Sequence, residues 1–291
     1  MVEFYDPVTD KNISYHIDKK LLVKWDRIRG GKLEKQDDDR VYIVDGRERA
    51  GKSVFAFQQA KYLDPTFNLD RVCFTPDELL ETIRKASKGQ AIVFDEAFRG
   101  LSSKGSQSKV NKRIVQALME MGQKNLFLFI VLPTFFLLEI YPAMLRSNCL
   151  FHIYKDKRGR RAFQIYNKSK KNLLYHVGKR KGFSYAFPRT KLKGRFYGIY
   201  AIDEESYRLK KLKSLEDAEE QVVEEENKYL VQRNLMIANF PEFFKKKGLK
   251  ITRKGFADWL TEIGVGLTPQ TVSQLVVNAE KVKMKTEKDI I

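Results

Sequence analysis

The chain has 291 residues, enough for a sizeable core in two domains or in one domain with appendages. Hydrophobic residues make up 43% and aromatic residues 12%, a composition that excludes a disordered chain. The net charge of +18 favours a polyanionic partner, nucleic acid first and an anionic membrane second.

Cysteine and histidine are scarce. Only Cys73 and Cys149 are present, so a disulfide scaffold and a cysteine metal site are excluded, and a reducing interior fits. We interpret the scattered His16, His152 and His176 as structural. The first residues lack the pattern of a signal peptide, so we expect a cytoplasmic location, in the host cytoplasm if the chain is viral.

The N-terminal extension, residues 1–40, is predicted to hold one short strand and a helix from Asp18 to Arg29. A charged linker over residues 32–40 then leads to the core, which we place at residues 41–155.

A phosphate-binding loop opens the core. Residues 46–53 fit the pattern G-x-x-x-x-G-K-[ST], after a strand over 41–44 and before a helix that starts at Ser53. Backbone N–H groups of such a loop point at an anion. Lys52 is therefore expected to contact the β- and γ-phosphates of ATP, and the Ser53 hydroxyl to hold Mg²⁺. The predicted nucleotide-binding residues are Gly46, Arg47, Glu48, Arg49, Ala50, Gly51, Lys52, Ser53, Val54 and Thr134.

The alternative is a glycine-rich turn with a solvated lysine. Arg49 also stands where many such loops carry an additional glycine, which makes this loop bulkier and more cationic than usual.

An acidic pair closes a later hydrophobic strand. Strands are predicted over 71–74 and 91–94, with a helix between them that Thr75, Pro76 and Glu78 begin as a capping box. In a nucleotide site, Asp95 would bind Mg²⁺ and Glu96 would polarise the attacking water as a general base. The alternative is that the pair marks a helix N-terminus.

The second half of the core is predicted to contain a polar loop over 99–111, a helix over 112–122 and a strand over 126–132. A helix over 135–145 and a strand over 150–154 follow. The segment 126–145 contains two prolines and a glutamate, and its uninterrupted apolar run is too short to span a bilayer. We therefore expect no stable membrane insertion.

Three further residues are candidates for the phosphate site. Thr134 follows the fourth strand and is placed to sense the γ-phosphate, although a helix cap is an equal alternative. Arg146 follows the next helix and is a candidate arginine finger offered to a neighbouring subunit, with Arg99 as a rival. A lone arginine is more often a surface charge.

The region 156–212 changes character. Between Lys155 and Arg195 there are fifteen Lys or Arg and one acid, interleaved with aromatic residues. A hairpin turn at 156–160 predicts antiparallel β-structure. Such a surface fits the phosphates and bases of DNA, with the aromatic residues forming the region's own core as the alternative. The candidate nucleic-acid contacts here are Lys155, Lys157, Arg158, Arg160, Arg161, Lys179, Arg180 and Lys181.

Two helical segments complete the chain. Residues 213–239 form a predicted acidic helical linker, because 216–226 hold seven acids. Residues 240–291 form a tail with helices over 251–260 and 268–276 across a glycine-containing turn. That outline fits a helix-turn-helix with Gln270 and Thr271 on the second helix, or a small helical hairpin with no DNA role.

Strands alternating with helices predict an α/β fold, a P-loop NTPase core with a mostly parallel sheet covered by helices on both faces. A basic β-rich region and a small helical C-terminal domain follow. Three features together resemble the ASCE class of P-loop ATPases. They are the phosphate loop, the strand that ends in Asp95-Glu96, and the next strand, which leads to a polar turn. In that class, the strand that follows the acidic pair in sequence lies in the sheet between the strand that carries the pair and the strand before the phosphate loop.

Within the class, residues 126–147 resemble the DNA-pumping FtsK–HerA branch and the zonular occludens toxin-like ATPases of viruses and plasmids. The resemblance covers residues 41–155 and implies an ATP-hydrolysing, DNA-associated motor of the translocation or genome-packaging type, working as a homo-oligomer or ring. The alternative is a nucleotide-gated DNA-binding or assembly protein with little turnover.

Overall fold

The computed structural model describes residues 1–6, 10–29, 39–95, 104–217 and 252–262, together with 234, 236, 248, 268, 270–272, 274, 275 and 277. The chain divides into two compact units, Met1–Ser214 and Leu215–Ile291. The predicted linker over 32–40 lies outside the described residues except for Asp39 and Arg40.

A seven-stranded sheet forms the first unit's centre. Its strands are β3 (Arg40–Gly46), β4 (Val72–Cys73), β5 (Ala91–Phe94), β6 (Phe127–Leu132), β7 (Cys149–Lys155), β8 (Arg161–Asn167) and β9 (Lys193–Arg195). Their order in space is β4-β5-β6-β3-β7-β8-β9. Its first five strands in space are parallel, and β8 and β9 continue the sheet antiparallel to β7. Because β6 lies between β5 and β3, the insertion predicted from sequence is confirmed.

The sheet carries a separate core on each face. Along β3, Val41 and Ile43 belong to one buried cluster, and Tyr42 and Val44 belong to the other. Side chains of a strand alternate between faces, so a strand with this much burial must be covered on both sides. The predicted mostly parallel α/β core is therefore confirmed.

The N-terminal extension differs from its prediction in one respect. It contains two strands rather than one, because β1 (Val2–Asp6) pairs antiparallel with β2 (Lys11–Tyr15). The helix α1 (Lys19–Arg27) follows as predicted and is capped by Asp18, whose side chain accepts from the Lys20 N–H. Each strand is only five residues long, with partly polar composition, so the pairing was hidden from pattern alone.

Three helices connect the parallel strands. They are α2 (Lys52–Leu63), α3 (Pro76–Lys85) and α4 (Lys104–Glu120). The capping box of Thr75 and Glu78 forms as predicted. The prediction that a polar loop extends to residue 111 is wrong, because α4 begins at Lys104. Its first two turns lack the apolar periodicity that begins farther along, where Ile114, Ala117 and Leu118 are buried.

The helix predicted over 135–145 is also wrong in form. The chain makes a 3₁₀ turn over Phe135–Leu137 and a π-helical turn over Tyr141–Arg146. Side chains from other elements satisfy backbone groups here. Asn111 binds the Leu137 carbonyl and the Glu139 N–H, and the Tyr175 hydroxyl donates to the Leu138 carbonyl. With these partners, a regular helix is not needed to satisfy the backbone.

The basic region belongs to the core sheet. Its predicted hairpin is present, because β7 and β8 pair across a turn in which Asp156 accepts from the N–H groups of Arg158 and Arg160. The basic region does not consist only of β-structure, however. Helix α5 (Lys168–Arg180) lies between β8 and β9, capped by Asn167. Its many Lys residues obscured the apolar stripe of Leu174 and Tyr175.

The C-terminal part is described incompletely. Residues 204–217, which we name helix α6, are helical, and most of the predicted acidic segment 216–226 lies outside the described residues. In the second unit, α7 (Arg253–Glu262) matches the first predicted tail helix. Its Phe256, Ala257 and Leu260 form a small buried cluster with Val272.

An ion pair fixes the end of the core to its beginning. Arg146, the predicted arginine finger, pairs with Asp39, which is 4% exposed and precedes β3. Its guanidinium also donates to the Leu118 carbonyl at 3.4 and 3.3 Å. A role in a neighbouring subunit would require these contacts to break.

We predict that Asp39→Ala lowers the free energy of unfolding by about 3–5 kcal/mol, because it leaves the largely buried Arg146 guanidinium unpaired. Arg146→Ala should destabilise as well, and the double variant should cost less than the sum of the two. Urea unfolding of the four proteins measures the coupling. As a matched control, Arg84→Ala breaks an exposed pair with Glu120 and should change stability little, because water screens it. Full stability of Arg146→Ala would contradict the structural role and favour the finger.

Candidate functional site

The phosphate loop joins the carboxyl end of β3 to the start of α2. Gly46 has a φ of 143°, and a Cβ at this position would lie 2.1 Å from the Ile153 carbonyl oxygen on β7. Only glycine therefore lets the loop leave the sheet at this point. Gly51, with a φ of 98°, immediately precedes Lys52, the first residue of α2.

The loop also strains one residue that is not glycine. Arg49 has a φ of 57°, in the left-handed region where side chains are disfavoured. This is the position at which the sequence lacks the additional glycine of many such loops. The conformation costs roughly 1 kcal/mol or more, and residues held in this way cluster at functional sites.

The predicted metal residues are adjacent. The Ser53 hydroxyl donates to Asp95 Oδ1 at 3.0 Å, across the gap between α2 and the end of β5. Asp95 is fully buried. A hydroxyl and one carboxylate are oxygen donors of the kind that Mg²⁺ takes alongside the phosphates of a nucleotide, so these residues fit that ion. Elsewhere in the described ranges, no group of three or more His, Cys, Asp and Glu side chains is placed to hold a metal.

The second oxygen of Asp95 contacts a residue that the sequence did not single out. The Tyr207 hydroxyl donates to Asp95 Oδ2 at 2.6 Å, and Lys211 Nζ lies 3.9 Å from the same oxygen. Burial, followed by the nearby Asp95 charge, raises the pKa of Tyr207, so the hydroxyl stays protonated and donates. No sequence signal pointed to Tyr207, because more than one hundred residues separate it from Asp95.

A cavity of about 680 Å³ adjoins the loop. The loop and α2 contribute Glu48, Arg49, Gly51, Lys52, Ser53 and Val54 to its walls. Leu132 and Pro133 line it from the end of β6, and Arg161 lines it from β8. The segment after β9 contributes Tyr200, Tyr207, Arg208 and Lys211. The cavity is therefore bounded by both the predicted loop and a segment that the sequence placed outside the core.

Lys52 has a contact within the loop. Its ammonium donates to the Arg47 carbonyl at 3.1 Å. The Ala50 N–H binds the same carbonyl at 3.3 Å, which closes the loop as a tight turn. The predicted loop therefore contains a tight turn from Arg47 to Ala50, just before Lys52.

Thr134 belongs to a second polar network, at the base of the loop. Its hydroxyl lies 3.0 Å from the Tyr185 hydroxyl, which donates in turn to the fully buried Asp45. Asp45 also accepts from the Phe135 N–H at 2.8 Å and contacts His152 Nδ1 at 2.8 Å. Thr134 is not among the residues that line the cavity. The network ties the turn after β6 to the end of β3, and it was visible in sequence only as an aspartate in an apolar strand.

The predicted nucleic-acid residues divide between two environments. Lys155, Lys157, Arg158 and Arg160 are exposed around the hairpin, and Lys179, Arg180 and Lys181 are exposed at the end of α5. Arg161 is half-buried and lines the cavity instead. In the second unit Gln270 is exposed and Thr271 is half-buried, with its N–H bound to the Thr268 hydroxyl at 3.2 Å.

The aromatic residues of the basic region serve mainly as core. Four are buried, namely Phe163, Tyr166, Tyr175 and Phe196. Three are largely exposed, namely Phe183, Phe187 and Tyr197. The alternative that these residues form the region's own core therefore holds for the four buried ones. A stacking role for the three exposed residues stays a prediction.

Two candidates fall outside the described residues, the predicted general base Glu96 and the rival arginine Arg99. None of the described helices is both long and apolar enough to cross a bilayer.

Comparison with protein-family models and with curated proteins gives no match. Among solved structures, the chain is similar to the N-terminal domain of zonular occludens toxin from Neisseria meningitidis. The identity is 16%, the match covers 45% of this chain and 84% of that one, and the TM-score is 0.29.

It is also similar to the genome packaging NTPase B204 from Sulfolobus turreted icosahedral virus 2, solved in complex with AMP. Here the identity is 13%, the match covers 46% of this chain and 95% of that one, and the TM-score is 0.32. The assignment of the fold rests on the strand order β5-β6-β3 and on the loop that follows β3.

Proposed function

We propose that this protein binds and hydrolyses ATP with Mg²⁺ and couples hydrolysis to work on DNA, as a translocating or packaging motor. The observation that carries the proposal is the contact between Ser53 and Asp95, which brings the loop and the acidic strand end together across one cavity. The combination supports nucleotide chemistry more strongly than an isolated phosphate loop does.

Each residue has a distinct task in this mechanism. The loop N–H groups and Lys52 bind the phosphates, and Ser53 and Asp95 hold the metal. Bound Mg²⁺ would neutralise charge that develops on the transferred phosphoryl group. Glu96, which follows Asp95 directly, orients the attacking water and accepts its proton.

We predict that Lys52→Ala abolishes ATP binding, whereas Glu96→Gln retains binding and loses hydrolysis. Lys52 contacts the ground-state phosphates, but Glu96 acts on water only in the transition state. Equilibrium ATP binding and single-turnover hydrolysis separate the two effects. Glu81→Gln, which alters an exposed acid on α3, is the matched control. Equal loss of ATP affinity in both variants would refute the role of Glu96.

A second candidate function is a nucleotide-gated binding or assembly protein with little turnover. The contact of Tyr207 with Asp95 favours it, because both carboxylate oxygens already accept hydrogen bonds. Metal binding must then displace or rearrange at least one donor. Turnover measured with and without DNA distinguishes the two functions: a motor is stimulated by DNA, and a gated binder stays slow in both conditions.

We predict that Tyr207→Phe lowers the Mg²⁺ concentration needed for half-maximal nucleotide binding several-fold. The variant removes the Tyr207 hydrogen bond to Asp95 Oδ2 and keeps the aromatic ring, whose centroid lies 4.9 Å from that of Phe57. Without Mg²⁺ it should melt at a lower temperature, because a buried carboxylate loses a donor. Mg²⁺ titrations on both proteins measure the shift. Tyr62→Phe is the control, because it removes a hydroxyl bound to another carboxylate, Asp26, and Tyr62 does not line the cavity. A higher Mg²⁺ requirement would mean that the hydroxyl assists metal binding.

DNA binding is proposed from the exposed cations of the basic region. Part of the +18 charge is concentrated on the hairpin and on the end of α5, where one acid, Asp156, is already bound to Arg160. A surface of one sign is stabilised when a polyanion lies across it.

We predict that replacing Lys179, Arg180 and Lys181 with Ala makes the dependence of log affinity on log salt shallower by up to about three units. Affinity should fall alike for all sequences, because phosphates rather than bases are contacted. Salt titrations of fluorescent duplex and single-stranded DNA measure the slope, and ATP binding should survive.

Replacement of the exposed Lys19, Lys20 and Lys24 on α1 is the matched control, since it removes the same charge from another surface. An equal effect in the control would mean that net charge alone drives binding. An unchanged slope in the α5 variant would place the contacts elsewhere. Assembly into an oligomer or ring, the trans role of Arg146, the part of Gln270 and Thr271 in DNA binding, and a cytoplasmic location stay predictions.

A further inference from the structure

Arg161 reaches the phosphate loop from outside the predicted core. Its Cδ and Nε lie 3.1 Å from the position that a Cβ would occupy at Gly51, the residue before Lys52. It lines the same cavity as Lys52 and Ser53. In sequence it is one cation of the run 155–161, which gave no reason to separate it from its neighbours.

The sheet topology explains this position. Gly46 lies beside Ile153 on β7, and Ile153 lies opposite Phe163 on β8. Because β8 runs antiparallel to β7, its first residue, Arg161, stands at the edge where the parallel strands end. In sheets of this kind, that is the edge where ligands bind.

The surroundings leave space for the guanidinium. A Cβ at Gly198 would lie 1.3 Å from Arg161 Nη1, so a larger residue cannot share that space. Gly198 is held in place by Gln58, a buried residue of α2. The Gln58 amide donates to the carbonyls of Tyr197 and Ile199 at 2.8 and 2.7 Å. The helix that follows the loop thus fixes the segment on which the guanidinium rests.

The charges around Arg161 favour the binding of an anion. Arg49, Lys52, Arg161, Arg208 and Lys211 line the cavity, against one acidic side chain, Glu48. Arg208 is paired with Glu204, and Lys211 Nζ lies 3.9 Å from Asp95, but in the described ranges no carboxylate pairs with Arg161. A half-buried guanidinium among other cations is stabilised when a phosphate or carboxylate accepts its hydrogen bonds.

We propose that Arg161 is a phosphate-binding residue of the nucleotide site, supplied by the same chain that carries the loop. The inference rests on the proposed ATP binding and adds a contact from β8 to those of Lys52 and Ser53. The same chemistry would suit a DNA phosphate. The cavity position favours the nucleotide, and the two sources are separated by measuring both ligands.

Arg161→Gln in the full chain should weaken ATP binding by about tenfold to a hundredfold, the loss typical of a charge-assisted hydrogen bond. Its affinity for duplex DNA and its salt slope should stay at wild-type values. Arg160→Gln is the matched control, because Arg160 is adjacent, exposed and paired with Asp156. It should leave ATP binding unchanged. Calorimetry with ATP and ADP, and fluorescence anisotropy with DNA, provide the readouts.

A second variant guards against misfolding. Gly198→Ala keeps the arginine but fills its space, so it should reproduce the loss of ATP affinity. Wild-type ATP affinity in both Arg161→Gln and Gly198→Ala would overturn the inference while leaving the proposed function intact, provided that Lys52→Ala loses binding. Loss of DNA affinity alone in Arg161→Gln would assign the residue to nucleic acid. A wild-type chain that binds no ATP would overturn both proposals.

Discussion

A buried carboxylate is the constraint on which the first unit depends. Asp95 is fully buried at the end of β5, and a group of this kind is stable only when donors surround it. The donors, Ser53 and Tyr207, come from the helix after the phosphate loop and from α6. Satisfying one carboxylate therefore brings together three segments that are remote in sequence. The same contacts shape the cavity, so stability and site geometry are linked through this residue.

The helix that presents the loop is enclosed. Residues Val54–Leu63 of α2 are all buried, although this stretch includes two glutamines and a lysine. The polar groups have specific partners on both sides. Tyr15 and Trp25 of the N-terminal extension bind the Gln58 carbonyl and the Gln59 side chain, and Gln58 holds the segment around Gly198. Burial on all sides fixes the direction of α2, and with it the direction in which the loop N–H groups point.

Lys and Arg side chains that look alike in the sequence have different roles in the structure. Lys171 is buried and donates to the Met144 carbonyl at 3.1 Å, and burial lowers its pKa to about 8. Arg146 is committed to Asp39, and Arg161 faces the cavity. Cations of the hairpin and of the end of α5, by contrast, are exposed to solvent. The net charge therefore overstates the positive charge that is exposed to solvent, and it gives no sign of the charge gathered around the proposed phosphate site.

Sequence alone determined the phosphate loop, the capping box of α3, the strands of the parallel sheet and the insertion of β6, because each has a local pattern or follows from a resemblance built on such patterns. Tertiary structure decided the rest. Tyr207, Asp45 and Arg161 acquire their contacts from sheet order and from the return of the chain after β9, which leave no periodic signal in the sequence. The turns over 135–146 and helix α5 likewise have partners that are distant along the chain. A local sequence pattern indicates which backbone conformation a segment favours. The burial of polar groups and the contacts between remote side chains are determined only when the sheet packs against its helices.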